Sequence, residues 1–271
     1  MVRKLIKYDF IPLLRLLLPA YLVLFGVALI NRLIQLFESI AAPTESFSVI
    51  YQMLFSSSIV LYCIGISVCT VMTLIVCAIR FYQALYSNEG YLNNTLPVTP
   101  SQHIFAKLLS SLIFCAFSVV TIFLSFIVLT FGELNVEIFK AIGYLFNRAL
   151  INDAANTFMF TIEIIIAIVF GYISMLLLLF MCVSIGQLAN KRKILLSVGV
   201  FFGIYTIGQF AATAFSIGFA LGGYQVHEWI ENNPAQFFHC FFVLLFTAEI
   251  IVSFTGYFLS KYLLTKKLNL A

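Results

Sequence analysis

The apolar residues of this chain are gathered into runs far longer than the core of a soluble domain requires. The second and fourth runs, at roughly 49–80 and 157–188, are each about 32 residues long. A fully helical run of that length spans about 48 Å, against a bilayer hydrocarbon core of about 30 Å. With 62% apolar and only 10% charged residues, no soluble core could absorb them. Windows of about 19 residues place six spans, at roughly 16–36, 49–80, 106–131, 157–188, 194–222 and 238–260. The expected fold class is an all-α membrane protein, with residues 1–271 forming a single transmembrane domain.

An even number of spans puts both termini on one side, and the cations say which. With the N-terminus in the cytosol, Arg3, Lys4, Lys7, Arg15, Arg80, Lys107, Lys191, Arg192, Lys193, Lys261, Lys266 and Lys267 fall inside. Only Arg32, Lys140 and Arg148 fall outside or near the outer face. That bias fixes the orientation, with both termini cytosolic. Glu38, Glu45, Glu133, Glu137, Asp153, Glu228 and Glu231 lie in the outer loops, so the net charge of +4 conceals a polarity across the bilayer. No nucleic-acid partner is called for.

The segment 1–15 alternates cations with Leu5, Ile6, Phe10, Leu13 and Leu14, a pattern suited to an elbow helix in the inner headgroup layer. Pro12 and Pro19 are expected to break it from the first span and turn the chain upward. No small-residue cleavage site follows a short apolar region, so the first span reads as retained. In the fifth span Gly199 and Gly203, Gly208 and Ala212, and Gly218 and Gly222 are each four residues apart. That spacing lets helices approach closely and predicts internal packing. Outside, residues 132–156 read as a helix resting on the membrane surface, and Trp229 as an interfacial anchor.

Enzymatic signatures are missing. There is no G-x-x-x-x-G-K-[ST] loop, no H-E-x-x-H pair and no G-x-S-x-G elbow. His103, His227 and His239 are scattered over both sides of the membrane. Cys63, Cys69, Cys77, Cys115, Cys182 and Cys240 fit no zinc spacing and lie within or beside spans, so they read as small buried hydrophobes without disulfides. The "NNT" at 93–95 matches a glycosylation acceptor but falls on the cytosolic side. No cofactor or metal is expected on the chain. A channel, a transporter or a membrane scaffold remains.

The stretch "YSNEGYLNNTLPVTP", residues 86–100, is polar yet holds out Tyr91, Leu92, Leu96 and Val98. The helix of the second span is expected to project past Arg80 and end near Asn88, with Gly90 as a left-handed stop. The next begins at Thr99, with Pro100 at its first position and Gln102 completing a capping box. Knobs held between two such ends suit a partner's groove, or alternatively the bilayer interface. Within the spans, Glu249 and Glu163 are intramembrane acids. Glu249 shares a helical face with Ser253, and it either lines a transport path or polar switch, or packs as a hydrogen-bonded residue.

"YSNEGYLNNTLPVTPSQHIFAKLLSS" resembles the first cytosolic loop of ABC-2 type transporter permeases of Gram-positive bacteria, through Glu89, Gly90, Tyr91, Leu92, Thr95, Leu96, Pro97 and Lys107. "YDFIPLLRLLLPAY" and "GQLANKRKILLSVGVFFGIYTIGQ" are similar to the same group. The resemblance implies a type V exporter-like fold in the bacterial plasma membrane. It further implies a subunit without its own nucleotide site, paired with a second permease, identical or related, and with cytosolic ATPase subunits that bind ATP and Mg. In that family the loop docks on the ATPase, which assigns those eight residues to coupling. Abundant Phe and few polar groups at depth favour an apolar or amphipathic cargo, a peptide or lipid, over a sugar polymer. The alternative is a non-transporting scaffold or sensor subunit.

Overall fold

A computed structural model describes residues 2–41, 45–87, 90, 99–130, 140, 143, 154–189, 191–220, 222, 228 and 232–266. The described residues contain no strand and are organised as six long helices: α1 (Val2–Ala41), α2 (Glu45–Tyr86), α3 (Pro100–Leu129), α4 (Ala154–Gly186), α5 (Lys193–Ala220) and α6 (Pro234–Lys266). Each contains a segment long and apolar enough to cross a membrane. In lipid, a helix satisfies its own backbone donors and acceptors, which is why such sequences resolve into helices. The architecture fits a multi-span membrane protein. The surface helix expected over 132–156 falls mostly outside the described residues, as does Trp229.

One boundary differs from the reading of the sequence. α1 is one helix from Val2 to Ala41, with Pro12 and Pro19 inside it, so the expected elbow at 1–15 is not a separate element. Neighbouring groups in a membrane helix can re-satisfy the backbone around a proline, so the missing donors do not end the helix. α2, in contrast, runs past Arg80 to Tyr86 as expected.

The chain divides into two compact units: residues 1–80 with 109–142, and residues 81–108 with 143–271. In the first, Leu24, Ala28, Tyr62 and Cys69 form a buried cluster against which Tyr21, Val27, Ile66, Ile122, Val128 and Leu129 pack. Gly65 admits α1 closely, because a Cβ there would stand 3.3 Å from Leu24 Cδ1. Neutral hydrogen bonds link the helices. Asn31, fully buried, donates through Nδ2 to the Val27 carbonyl at 3.0 Å and the Ser58 carbonyl at 3.2 Å, and its Oδ1 accepts from Ser58 Oγ. The Tyr62 hydroxyl meets Ser125 Oγ at 2.8 Å. Tyr21 donates to the Phe114 carbonyl at 3.4 Å. Phe10 packs on Phe114 with ring centroids 4.9 Å apart.

In the second unit, α4 and α6 run parallel at very close approach. A Cβ on Gly256 would stand 2.9 Å from the Leu177 carbonyl oxygen, so only glycine fits there. A tight turn joins α4 to α5. Gln187, Leu188 and Ala189 donate to carbonyls three residues back, and a Cβ on Gly186 would run into Ser197 of α5. Beyond that turn α5 stands apart: its apolar window contains no buried residue, and nothing lies within 4 Å of where Gly199, Gly203, Gly208 and Gly218 would carry a Cβ. Among the described residues of this unit, nothing packs on these small-residue positions. Spacing permits close approach but does not supply the neighbour.

Candidate functional site

The second unit contains both ends of the 88–98 loop and both intramembrane acids. Beyond the end of α2, Gly90 donates its N–H to the Ser87 carbonyl at 2.8 Å. A Cβ on Gly90 would stand 2.5 Å from the Leu85 carbonyl oxygen and 2.6 Å from its carbon, while the Gly90 φ lies outside the left-handed region. Glycine is thus required by the chain folding back on the last turn of α2, not by the left-handed stop expected from sequence. At the other end the capping expectation holds. The Thr99 N–H donates to Gln102 Oε1 at 3.1 Å, and the Thr99 carbonyl accepts from the Gln102 and His103 N–H groups at 2.9 and 3.2 Å. Pro100 occupies the first helical position, where its missing donor would be unpaired anyway.

Glu89, Tyr91, Leu92, Thr95, Leu96 and Pro97 lie outside the described residues. Lys107 is described, and it is only 5% exposed, one turn beyond the equally buried His103. Its interactions are made within the chain, so any contribution to a partner passes through the way it holds α3.

The helix ends flanking the loop are bound to the far end of α4. Phe81 stacks on Phe180 with centroids 4.0 Å apart and planes 7° from parallel. The Tyr86 hydroxyl donates to Ser184 Oγ at 2.9 Å, and Ser184 in turn donates to the Phe180 carbonyl at 2.8 Å. Around them Phe81, Leu85, Ile104, Leu177, Phe180 and Leu264 form one buried cluster drawn from α2, α3, α4 and α6. A displacement of the loop-bearing ends therefore acts directly on α4 and on the end of α6.

Along the α4–α6 seam lie the acids. Glu163 Oε1 is 2.7 Å from His239 Nδ1, whose ring stacks on Phe160 at 4.6 Å. Phe238 and Phe242 hold Phe160 edge-on. Eight residues further along α4, about 12 Å at the helical rise, Gly171 leaves room for Glu249. Its Cβ position would be 3.3 Å from Glu249 Oε1. Glu249 Oε2 and Ser253 Oγ are both buried with no hydrogen-bond partner, as is Glu163 Oε2. The structure thus sets both sequence-selected acids on one seam and adds His239, which sequence reading left as a scattered histidine. Only the register of α4 against α6 could have paired them. Chemically, the seam can offer Glu249 Oε2 to a hydrogen-bond donor, and it holds an acid–imidazole pair near the starts of α4 and α6. Among the described residues, no group of three or more His, Cys, Asp or Glu side chains could hold a metal ion.

The chain matches no protein-family model, no curated protein and no solved structure.

Proposed function

We propose that the chain is the membrane-spanning permease subunit of an ATP-driven exporter of ABC-2 character. In this reading it works in a bacterial plasma membrane with both termini cytosolic and with a second permease subunit beside it. ATP and Mg are bound by separate ATPase subunits, and the cargo is an apolar or amphipathic peptide or lipid. The observation that carries the proposal is the joint at the loop: two helix ends, one closed by Gly90 and one capped at Thr99, locked to α4 through Phe81–Phe180 and Tyr86–Ser184. That construction suits a lever, because a push on the facing ends of α2 and α3 reaches α4 and α6 through buried packing. Tyr91 and Leu92 anchor the ATPase, the first turns of α1 lie along the inner leaflet, and the open small-residue face of α5 is available to the second permease subunit. Glu249 and Glu163 line the path or switch that the lever moves.

The test is co-purification in detergent with a candidate cytosolic ABC ATPase, followed by cargo-stimulated ATP hydrolysis. Replacing Tyr91 and Leu92 together with Asp should separate the subunits and reduce stimulated hydrolysis at least about tenfold, as loss of two interface anchors does, while the membrane domain stays folded. Unchanged co-purification and unchanged hydrolysis would refute Tyr91 and Leu92 as the anchor, whereas a wild type that binds no ATPase and stimulates no hydrolysis would refute the exporter reading and favour a scaffold or sensor.

A further inference from the structure

On the α4–α6 seam the two intramembrane acids are held in opposite ways. Glu163 lies about one turn inside the α4 span and meets the His239 ring at 2.7 Å. Glu249 lies about 20 Å from the Gln236 end and about 26 Å from the Lys266 end of the α6 span. Among the described residues it belongs to no ion pair. α4, the helix packed on this face, contains no Lys, Arg or His. On α6 the cationic side chains are His239, Lys261 and Lys266, and the nearest, His239, is about 15 Å away along the helix. The remaining titratable side chains of the two helices, Tyr172 and Cys182 on α4 and Cys240, Tyr257 and Tyr262 on α6, are phenols and thiols that bring no positive charge. Glu249 is half-buried: Oε2 is enclosed without a hydrogen-bond partner, and Oε1 sits at the Gly171 notch. Ser253 Oγ, one turn on, is enclosed and unpartnered as well. The adjoining Ile250, Ile251 and Phe254 are exposed, and at this depth they face lipid.

We propose that Glu249 carries a proton while the seam is closed, and that this acid is the chain's site for modification by apolar carbodiimides. A carboxylate with neither a cation nor a set of donors beside it is penalised heavily at membrane depth, and taking up a proton removes the charge on the spot. Opening the seam to water then releases the proton, and closing takes it back, so acid favours the closed seam and alkali the open one. A neutral acid in a dry, apolar setting has a specific reactivity. It gives its proton to a carbodiimide nitrogen, its oxygen bonds to the central carbon, and the acyl group then moves from that oxygen to nitrogen. The product is an N-acylurea that keeps every atom of both reactants, with no oxidation or reduction. Glu163 has His239 beside its charged form and is the internal comparison. No ATPase or cargo enters into this chemistry, so its failure would leave the exporter reading standing.

The test treats the purified full chain in phosphatidylcholine vesicles with dicyclohexylcarbodiimide at neutral pH and maps the labelled peptides by mass spectrometry. In the wild type, Glu249 should carry at least about ten times the label of Glu163. A cationic, water-soluble carbodiimide used in the same way should label Glu249 at least about tenfold less than the apolar reagent does. No label at Glu249, or equal label from the two reagents, would overturn the proposal, and this map depends on no variant. A second readout depends on no reagent. The infrared carbonyl band of a protonated carboxyl, distinct from that of a carboxylate, should be present in the wild type at neutral pH, lost in Glu249→Gln and kept in Glu163→Gln. A band that survives Glu249→Gln, or one missing from the wild type, would refute the assignment of the proton to Glu249.

Discussion

In the first unit, the buried groups that link the helices are neutral and several close on each other: both functional ends of Asn31 are taken up by Ser58 and the Val27 carbonyl, Tyr62 meets Ser125, and Tyr21 meets the Phe114 carbonyl. On the α4–α6 seam the groups are ionisable, and several buried atoms have no partner: Glu163 Oε2, Glu249 Oε2, Ser253 Oγ and Ser260 Oγ. Satisfied neutral bonds between membrane helices hold an arrangement in place, whereas an unpaired buried acid is a standing penalty that only a second state or a visiting group can relieve. The two regions therefore divide the labour. One fixes helices, and the other is poised to change partners.

The largest test of that contrast is Asn31→Leu. It removes the interhelical donor and acceptor together and leaves the Ser58 hydroxyl only the Phe55 carbonyl of its own helix, so it should destabilise the protein by about 1–3 kcal/mol. The readout is thermal unfolding in detergent, and an unchanged midpoint would deny the first unit its fixing role. Glu249→Leu should have the opposite sign. Removing an acid with an unpartnered buried oxygen should stabilise the fold by about 1 kcal/mol, while cargo export falls at least about tenfold. Glu249→Gln keeps the shape and should lie between the two in stability. Destabilisation by Leu with export intact would make the seam an ordinary packed interface. The smallest effect belongs to Gly203→Ala on α5. A methyl there meets open space, so stability should change by less than about 0.5 kcal/mol. A loss above about 1 kcal/mol would show that the α5 face is covered by protein, and the contrast would then need a third region.

How far the sequence could be read follows from how local each signal is. Six spans are visible in hydropathy alone, because lipid demands long apolar helices regardless of how they pack. Helix ends are less visible: α1 extends well beyond 16–36, since hydropathy registers the apolar stretch while hydrogen bonding continues into polar residues and past Pro12 and Pro19. The cap at Thr99 and Gln102 was legible because all its atoms lie within one turn. Gly90 was legible as a required glycine but not in its reason, since a close contact with Leu85 and a left-handed φ leave the same letter in the sequence. The Glu163–His239 pair was not legible. It depends on the register between helices far apart in the chain, and no periodicity records that. The α5 pairs mark the opposite failure, a local pattern for which the described residues provide no partner.

The two glycines of the α4–α6 seam restrict how the pair can move. Gly171 on α4 receives Glu249, and Gly256 on α6 receives the backbone at Leu177, so each helix has a notch occupied by the other. Sliding α6 by a full turn advances it about 5.4 Å, which would set Val252 or Ser260 in place of Gly256 against Leu177 and take Glu249 out of its recess. A one-turn ratchet is therefore opposed in both directions, as by a key in a slot. What remains is rotation about the seam or separation across it. A stroke delivered through Phe180 and Ser184 must emerge as a swing that uncovers Glu249 rather than as a shift that carries it along.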